Sequence, residues 1–123
     1  MTLTHRIDAE SGIVYVDVVG SFTMKEIRAL IDTVVNDPDF RRGYHILSDH
    51  RRIGDPATPG QVRGTLEHVA ALIDALGESK WAIVASREAS YGMMRMMEML
   101  AEDLPIQISV FRDPEEARDW LLR

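Results

Sequence analysis

The chain has 123 residues, a length that fits one domain, and its 46% hydrophobic and 28% charged residues give an ordinary globular balance rather than a disordered one. It contains no cysteine, which excludes disulfides, thiolate metal ligands and cysteine nucleophiles. Its 14 Lys and Arg residues against 20 Asp and Glu residues give a formal net charge of −6, which argues against nucleic-acid binding. We therefore expect a single domain over residues 1–123.

The first third of the chain predicts a β-hairpin followed by a helix. Residues 3–8 alternate in polarity and residues 13–19 are β-branched and aromatic, so both predict strands, and the short turn at Gly12 predicts an antiparallel pair. Thr23, with a glutamate three residues on, has the spacing of a helix capping box. Apolar residues then recur at helical spacing until the Asn-Asp-Pro segment at 36–38 ends the helix.

Strands and helices alternate in the remainder of the chain. Residues 50–57 indicate a polar loop, after which Thr58 and Pro59 begin a second helix that Gly77 is placed to end. The continuous apolar run at residues 81–85 is typical of a strand covered on both faces. The predicted strands cover residues 44–49, 81–85 and 106–111, and the predicted helices begin at Thr58, near Tyr91 and at Asp113.

The predicted order ββαβαβαβα defines the fold class. Strand–helix alternation with short loops predicts right-handed crossovers and parallel pairing, while the hairpin adds one antiparallel strand. We therefore predict an α/β fold with a single mixed, mostly parallel five-stranded sheet and four helices. No apolar stretch approaches the ~20 residues of a membrane span, and the N-terminus lacks the apolar middle of a signal peptide, so we expect a cytoplasmic protein.

Four segments of this chain carry a resemblance to a known family. They are residues 12–22, residues 80–86, the helix entry at 91–93, and residues 110–121. In these patterns and in element order the chain resembles the STAS and SpoIIAA-like fold, and above all its small stand-alone bacterial members, which are mostly of unknown function. The resemblance implies a regulatory or interaction domain rather than an enzyme.

One segment departs from the pattern that this resemblance implies. STAS regulators of the anti-sigma antagonist kind carry an Asp-Ser-Ser-Gly-like segment after the third strand, where a serine is phosphorylated. The corresponding stretch here is Ser48-Asp49-His50-Arg51-Arg52, with no serine after the aspartate. The phosphoserine switch is therefore not implied. The related CRAL-TRIO domains enclose a lipid with extra helices that this chain lacks, so we expect no deep lipid cavity.

Two predicted loops carry residues that can bind an anion. Ligands of open α/β sheets bind outside the carboxyl ends of the strands, and guanidinium groups beside helix N-termini attract anions there. The alternative is that Asp49 pairs with a neighbouring arginine and the other residues form a solvated rim. The candidate ligand residues are His50, Arg51, Arg52, Arg87 and Tyr91.

The sequence favours neither catalysis nor metal binding. Ser48, Asp49 and His50 are neighbours, but consecutive strand residues point in alternating directions, so adjacency does not make a triad. No Gly-x-Ser-x-Gly motif is present. His45 and Asp49 would lie ~13 Å apart along a strand, too far to share a metal ion. We therefore predict no catalytic residue, no metal and no cofactor.

Five of the 7 methionines lie in the third predicted helix. At 100° per residue, Met93, Met97 and Leu100 share one direction and predict a core stripe. A second apolar stripe beside it, here called the methionine shoulder, would stay exposed in a monomer and predicts a contact with a second copy or another protein. The methionine shoulder consists of Gly92, Met96 and Met99.

These features favour a non-enzymatic interaction or regulatory module that forms a homodimer or binds a protein partner. The alternative is a small protein that binds an apolar ligand or lipid between the methionine helix and the loops after the third and fourth strands. A carrier should contain an apolar cavity, and an interaction module should have a packed interior and a flat apolar patch. An enzyme should place His50 and Asp49 within hydrogen-bond reach in a cleft.

Overall fold

A five-stranded sheet organises residues 2–123, which the computed structural model describes. Its strands lie in the order β1-β2-β3-β4-β5; β1 is antiparallel to β2, and the other neighbours are parallel. The predicted mixed, mostly parallel sheet is confirmed. The strands are β1 (Thr2–Asp8), β2 (Ile13–Gly20), β3 (His45–Ile53), β4 (Lys80–Val84) and β5 (Gln107–Phe111). The helices are α1 (Met24–Val35), α2 (Pro59–Ala71), α3 (Ile73–Leu76), α4 (Glu88–Leu100) and α5 (Pro114–Leu121).

The described residues form five helices rather than the predicted four. The predicted second helix is interrupted at Leu72, where φ is −106° and ψ is 13°, so its last turn becomes the separate helix α3. Gly77 follows α3 with a positive φ of 71°, and its N–H donates to the carbonyl of Ile73. The predicted helix end at Gly77 is therefore correct, and the error is confined to the break before it.

The prediction of a polar loop from residue 50 was wrong. β3 continues to Ile53, and Arg52 and Ile53 lie in register with Val19 and Gly20 of β2. The His-Arg-Arg sequence concealed this continuation, because it lacks the apolar alternation that marks a half-buried strand. The longer strand carries the side chain of His50 over the sheet instead of leaving it on a loop.

The helix starts at Thr23 and Thr58 agree with the sequence. Each threonine side chain accepts a hydrogen bond from the backbone N–H three residues on, and the side chain of Glu26 or Gln61 accepts one from the threonine's own N–H. Both capping boxes thereby fix where α1 and α2 leave the sheet edge. Among the described residues, no helix has the length and apolar character needed to cross a membrane.

The sheet separates two apolar layers of unequal thickness. Because successive strand residues face opposite sides, Ile46 and Leu47 of β3 belong to different layers. The thicker layer lies under α1, α2 and α4, while α5 alone packs on the opposite side. The thicker layer includes Val14, Val16, Val18, Ile46, Trp81 and Ile83. The thinner layer includes Ile13, Leu47, Ala82, Val84, Ala117 and Leu121.

Removing the cap of α2 should destabilise the fold measurably. Thr58→Ala leaves the N–H of Gln61 without its side-chain acceptor, so we expect the free energy of unfolding to fall by about 1 kcal/mol. Thr33→Ala is the matched control, because Thr33 lies exposed within α1, where alanine is the better helix former. Urea unfolding of both variants checks this, and equal losses for the two would contradict the role of the cap.

Candidate functional site

The apolar face of α1 borders a cavity instead of packing fully against the sheet. Ile27, Leu30 and Ile31 face the sheet but are only half-buried, whereas Val34 is buried. The space between α1, α2 and the strands has a volume of about 290 Å³. An amphipathic helix normally buries such a stripe in the core, so the half-buried residues are the local sign of the cavity.

The cavity walls are mainly apolar. The strand wall is formed by alternate residues of β2 and β3, and α4 contributes two methionines at one side. This space is smaller and more open than a deep lipid cavity, which the sequence did not lead us to expect, and it forms because α1 stands off the sheet. The apolar lining includes Val16, Val18, Ile46, Ile53, Phe22, Ile27, Leu30, Ile31, Val34, Met94 and Met97.

A hydrogen-bonded polar pair lies in this apolar wall. Ser48 Oγ and His50 Nε2 are 2.8 Å apart, and both residues line the cavity. They share one face of β3 because they are two residues apart on a strand. Asp49, between them, takes the other direction and accepts two hydrogen bonds from the Arg51 guanidinium, at 3.0 and 2.8 Å. The role of Ser48 was not predicted; a Ser-x-His pattern on a strand was the available signal.

The environment of His50 keeps its imidazole neutral. Burial lowers the pKa of His50 to about 4, against a weaker opposing effect of the Asp49 carboxylate. The side chain nevertheless retains accessible surface, since the residue is only half-buried. Both observations agree if the accessible part of the imidazole faces the cavity rather than bulk water. At neutral pH the pair therefore presents uncharged donor and acceptor groups.

Hydrogen bonds join the two loops at one end of the cavity. Ser21 Oγ accepts a hydrogen bond from the backbone N–H of Asp55 at 2.9 Å and donates one to its carboxylate at 3.2 Å. Gln61 Nε2 donates to the carbonyl of Phe22 at 3.1 Å. The Arg87 guanidinium donates to the carbonyls of Ile53 and Gly54 on the same side of the molecule. The loops after β2 and β3 are thus held together beside the cavity.

Two histidines outside the cavity form side-chain hydrogen bonds with residues in and beyond α1. His68 Nε2 of α2 lies 2.7 Å from Asp32 Oδ1 of α1, and His5 Nε2 of β1 lies 2.8 Å from Asp37 Oδ2 just beyond α1. Both pairs span more than thirty sequence positions, so no local pattern could reveal them. Side-chain hydrogen bonds therefore connect the helix that covers the cavity to α2, and the segment just after it to β1.

The predicted ligand residues do not form one cluster. His50 lines the cavity, whereas Arg51 and Arg52 line a shallow pocket on the other side of the sheet. Arg51 pairs with Asp49, and Arg52 Nη2 lies 2.6 Å from Asp17 Oδ2. An anion site built from these groups stays a prediction, and its guanidinium groups already have protein acceptors.

Tyr91 lies apart from that shallow pocket. It packs beside the cluster of α2 and α4 residues, and the Arg112 guanidinium lies 4.1 Å from its ring centroid. Arg112 also donates to Glu88 at 3.0 Å. The tyrosine therefore belongs to a stacked, ion-paired surface near the start of α4. No group of three His, Cys, Asp or Glu residues in the described part of the chain could hold a metal ion.

The core stripe of α4 differs from the predicted one. Met94, Met97 and Ala101 are buried, whereas Leu100 is 44% exposed. Met97 belongs to both stripes, and the buried stripe is rotated by about one residue from the predicted stripe of Met93, Met97 and Leu100. The helix also begins earlier than predicted, at Glu88 rather than near Tyr91.

The methionine shoulder lies at the surface, beside the exposed Leu100. Met99 is 63% exposed, and Gly92 is exposed with open space where a β-carbon would stand. Met96 is half-buried against the α2–α4 cluster. The shoulder therefore keeps an uncovered apolar edge in the isolated chain.

The sheet order and the placement of the helices define a STAS-type α/β domain. The sequence pattern of the SpoIIAA-like family matches residues 13–122, and the chain belongs to the SpoIIAA-like family. That membership indicates a regulatory or interaction domain. No sequence among the curated proteins matches the chain.

Two solved structures share the fold. An uncharacterized protein with a SpoIIAA-like fold from Shewanella loihica PV-4 matches with a TM-score of 0.63 at 15% identity, over 98% of this chain and 92% of that chain. The anti-sigma factor antagonist SpoIIAA in its unphosphorylated form matches with a TM-score of 0.51, also at 15% identity, over 97% and 96% of the two chains. At this identity the likeness establishes the fold alone.

The buried imidazole should make stability depend on pH. The unfolded chain takes up a proton at His50 near its ordinary pKa of 6.5, but the folded chain does so only near a pKa of about 4. Unfolding therefore becomes easier as the pH falls between these values. His50→Gln lacks this group. Between about pH 7 and pH 4.5 we therefore expect the free energy of unfolding of the wild type to fall by about 2 kcal/mol more than that of His50→Gln.

Urea unfolding at the two pH values measures this difference. The lowered pKa of His45 adds a loss in the same direction, but it acts equally in both proteins and cancels in the comparison. Equal losses for the wild type and His50→Gln would show that the imidazole is not held in a desolvated site.

Proposed function

We propose that this protein is a STAS-type regulatory domain that binds a small, mainly apolar molecule in the cavity between the sheet and α1. The observation that carries this proposal is the apolar cavity of about 290 Å³ with the Ser48–His50 pair in its wall. Pockets for small molecules start at about 300 Å³ and combine apolar walls with a few placed polar groups. We therefore prefer ligand binding, which was the alternative from the sequence, to an interaction module alone. The proposed site lies under α1 rather than beside the methionine helix.

The size of the cavity argues against a simple packing defect. Protein interiors are close-packed, and an enclosed void costs roughly 24 cal/mol per Å³. The cavity is partly open, so the apolar side chains that line its volume of about 290 Å³ contact water rather than an enclosed void. A ligand that covers these walls removes apolar surface from water, which favours binding.

The position of α1 supports a regulatory use of the ligand. Ile27, Leu30 and Ile31 on its inner face line the cavity, while its outer face contributes to the protein surface. A ligand in contact with the inner face would stabilise one position of the helix relative to the sheet. A partner that recognises the outer face could then distinguish the bound and free states.

The Ser48–His50 pair supports binding rather than catalysis. A histidine with a pKa of about 4 is a poor general base at neutral pH, because efficient proton transfer needs a pKa near the working pH. Asp49, which could have oriented the imidazole, pairs with Arg51 on the other side of the strand. The proposal therefore includes no chemical step.

Filling the cavity should weaken ligand binding without loss of the fold. N-phenyl-1-naphthylamine is a neutral apolar dye whose fluorescence rises on leaving water. We expect the wild type to bind it, and we expect Val18→Phe, which places a ring in the cavity, to weaken binding at least about tenfold. Fluorescence titration measures the affinity, and thermal unfolding checks that the variant stays folded.

Val19→Phe is the matched control, because Val19 is on the same strand but does not line the cavity. We expect it to bind the dye as the wild type does. Equal dye affinity in the folded Val18→Phe variant and the wild type would contradict binding in this cavity.

A second candidate function is self-association through α4. The observation that favours it is the exposure of Met99 and Leu100, at 63% and 44%, beside the exposed Gly92. Contiguous exposed apolar surface is typical of protein contacts. This function can coexist with ligand binding, since the cavity and the exposed side of α4 do not share these residues.

Charges on the methionine shoulder should disrupt any dimer. We expect the wild type to sediment as a dimer and Met96→Lys plus Met99→Lys to sediment as a monomer, because lysines cannot be buried there without partners. Ala70→Lys plus Ala71→Lys, at exposed positions of α2, adds the same charge elsewhere and should leave the dimer intact. A wild type that is monomeric at high concentration would rule out the homodimer.

A further inference from the structure

The charge of the cavity lining restricts the ligands that it can take. None of the described residues that line the cavity is a lysine or an arginine, and Asp55 is the acidic residue among them. A carboxylate or phosphate placed inside would lose its hydration without gaining a cation. The lining therefore selects against anionic ligands, although long-chain apolar molecules are often acids.

The polar pair in the wall offers both kinds of hydrogen bond to a neutral group. If the Ser48 hydroxyl donates to His50 Nε2, its oxygen can still accept a hydrogen bond from a ligand. If Nε2 carries the proton and donates to Ser48, the serine hydroxyl can itself donate to a ligand. The pair can thus bind a hydroxyl, which donates and accepts, or a carbonyl, which accepts.

We propose that the cavity binds an amphipathic molecule with an uncharged hydroxyl or carbonyl group, which hydrogen-bonds to the Ser48–His50 pair while its apolar part lies against α1. This inference rests on the proposed ligand-binding function and specifies the chemistry of the ligand. The apolar part contacts Ile27, Leu30 and Ile31, and the polar group lies at β3. The uncharged state of His50, caused by its burial, agrees with a neutral partner group.

The test compares an alcohol with the acid of the same chain length. 1-Octanol and octanoate compete with N-phenyl-1-naphthylamine for the wild-type protein at about pH 7.5, where octanoate is ionised. We expect octanol to displace the dye at a concentration at least about tenfold lower than octanoate. Ser48→Ala should weaken octanol about fivefold and leave the dye unchanged, because the hydroxyl partner is lost while the apolar walls remain.

A cation in the lining should reverse this preference. Thr65 lines the cavity from α2, so Thr65→Lys supplies the missing counter-charge and should favour octanoate over octanol. Thr33→Lys adds the same charge at an exposed position of α1 outside the lining and should keep the wild-type preference. Circular dichroism confirms that each variant is folded.

The outcomes distinguish ligand binding in the cavity from the preference for a neutral polar group. Dye binding with octanoate competing as well as octanol would overturn the neutral-group inference and leave the cavity as a binding site. An unchanged octanol affinity in Ser48→Ala would also overturn the inference. Absence of dye and octanol binding by the folded wild type would overturn the proposed function and this inference together.

Discussion

The gap between α1 and the sheet is the feature on which the functional account depends. The helix has a strong apolar stripe, a complete capping box at Thr23 and polar ties through Asp32 and Asp37, so it is held at its ends and along its length. Those ties fix the helix over the strands without closing the space beneath it. An apolar interior space of about 290 Å³ results, and its walls come from elements that the fold needs in any case.

The alternation of β3 gives this space its chemistry. Ser48 and His50 point into the cavity, whereas Asp49 and Arg51 pair on the opposite side of the sheet. One strand thereby separates a charged surface from a neutral interior. A register one residue different would have brought Asp49 and Arg51 into the cavity and made it a site for charged ligands.

Local signals predicted the elements of the fold well and the site poorly. The capping residues Thr23 and Thr58 were readable because each acts within three positions of sequence. The end of β3 was not readable, because His50, Arg51 and Arg52 obey no simple apolar alternation. The cavity could not be predicted either, because an apolar helix stripe such as that of α1 has the same sequence pattern whether the helix packs tightly or borders a cavity. Long-range pairs such as His68 with Asp32, which connect α1 to α2, leave no local signal in the sequence either.

Methyl NMR of the isoleucine, leucine and valine side chains tests the central claim most directly, because it reports where an added ligand lies. On titration with 1-octanol, the account predicts shifts at Val18, Leu30 and Ile31, with Leu121 on the opposite side of the sheet unchanged. Shifts confined to Leu121 and its neighbours under α5, or no shifts among the cavity methyls at saturating octanol, would contradict a ligand site between α1 and the sheet.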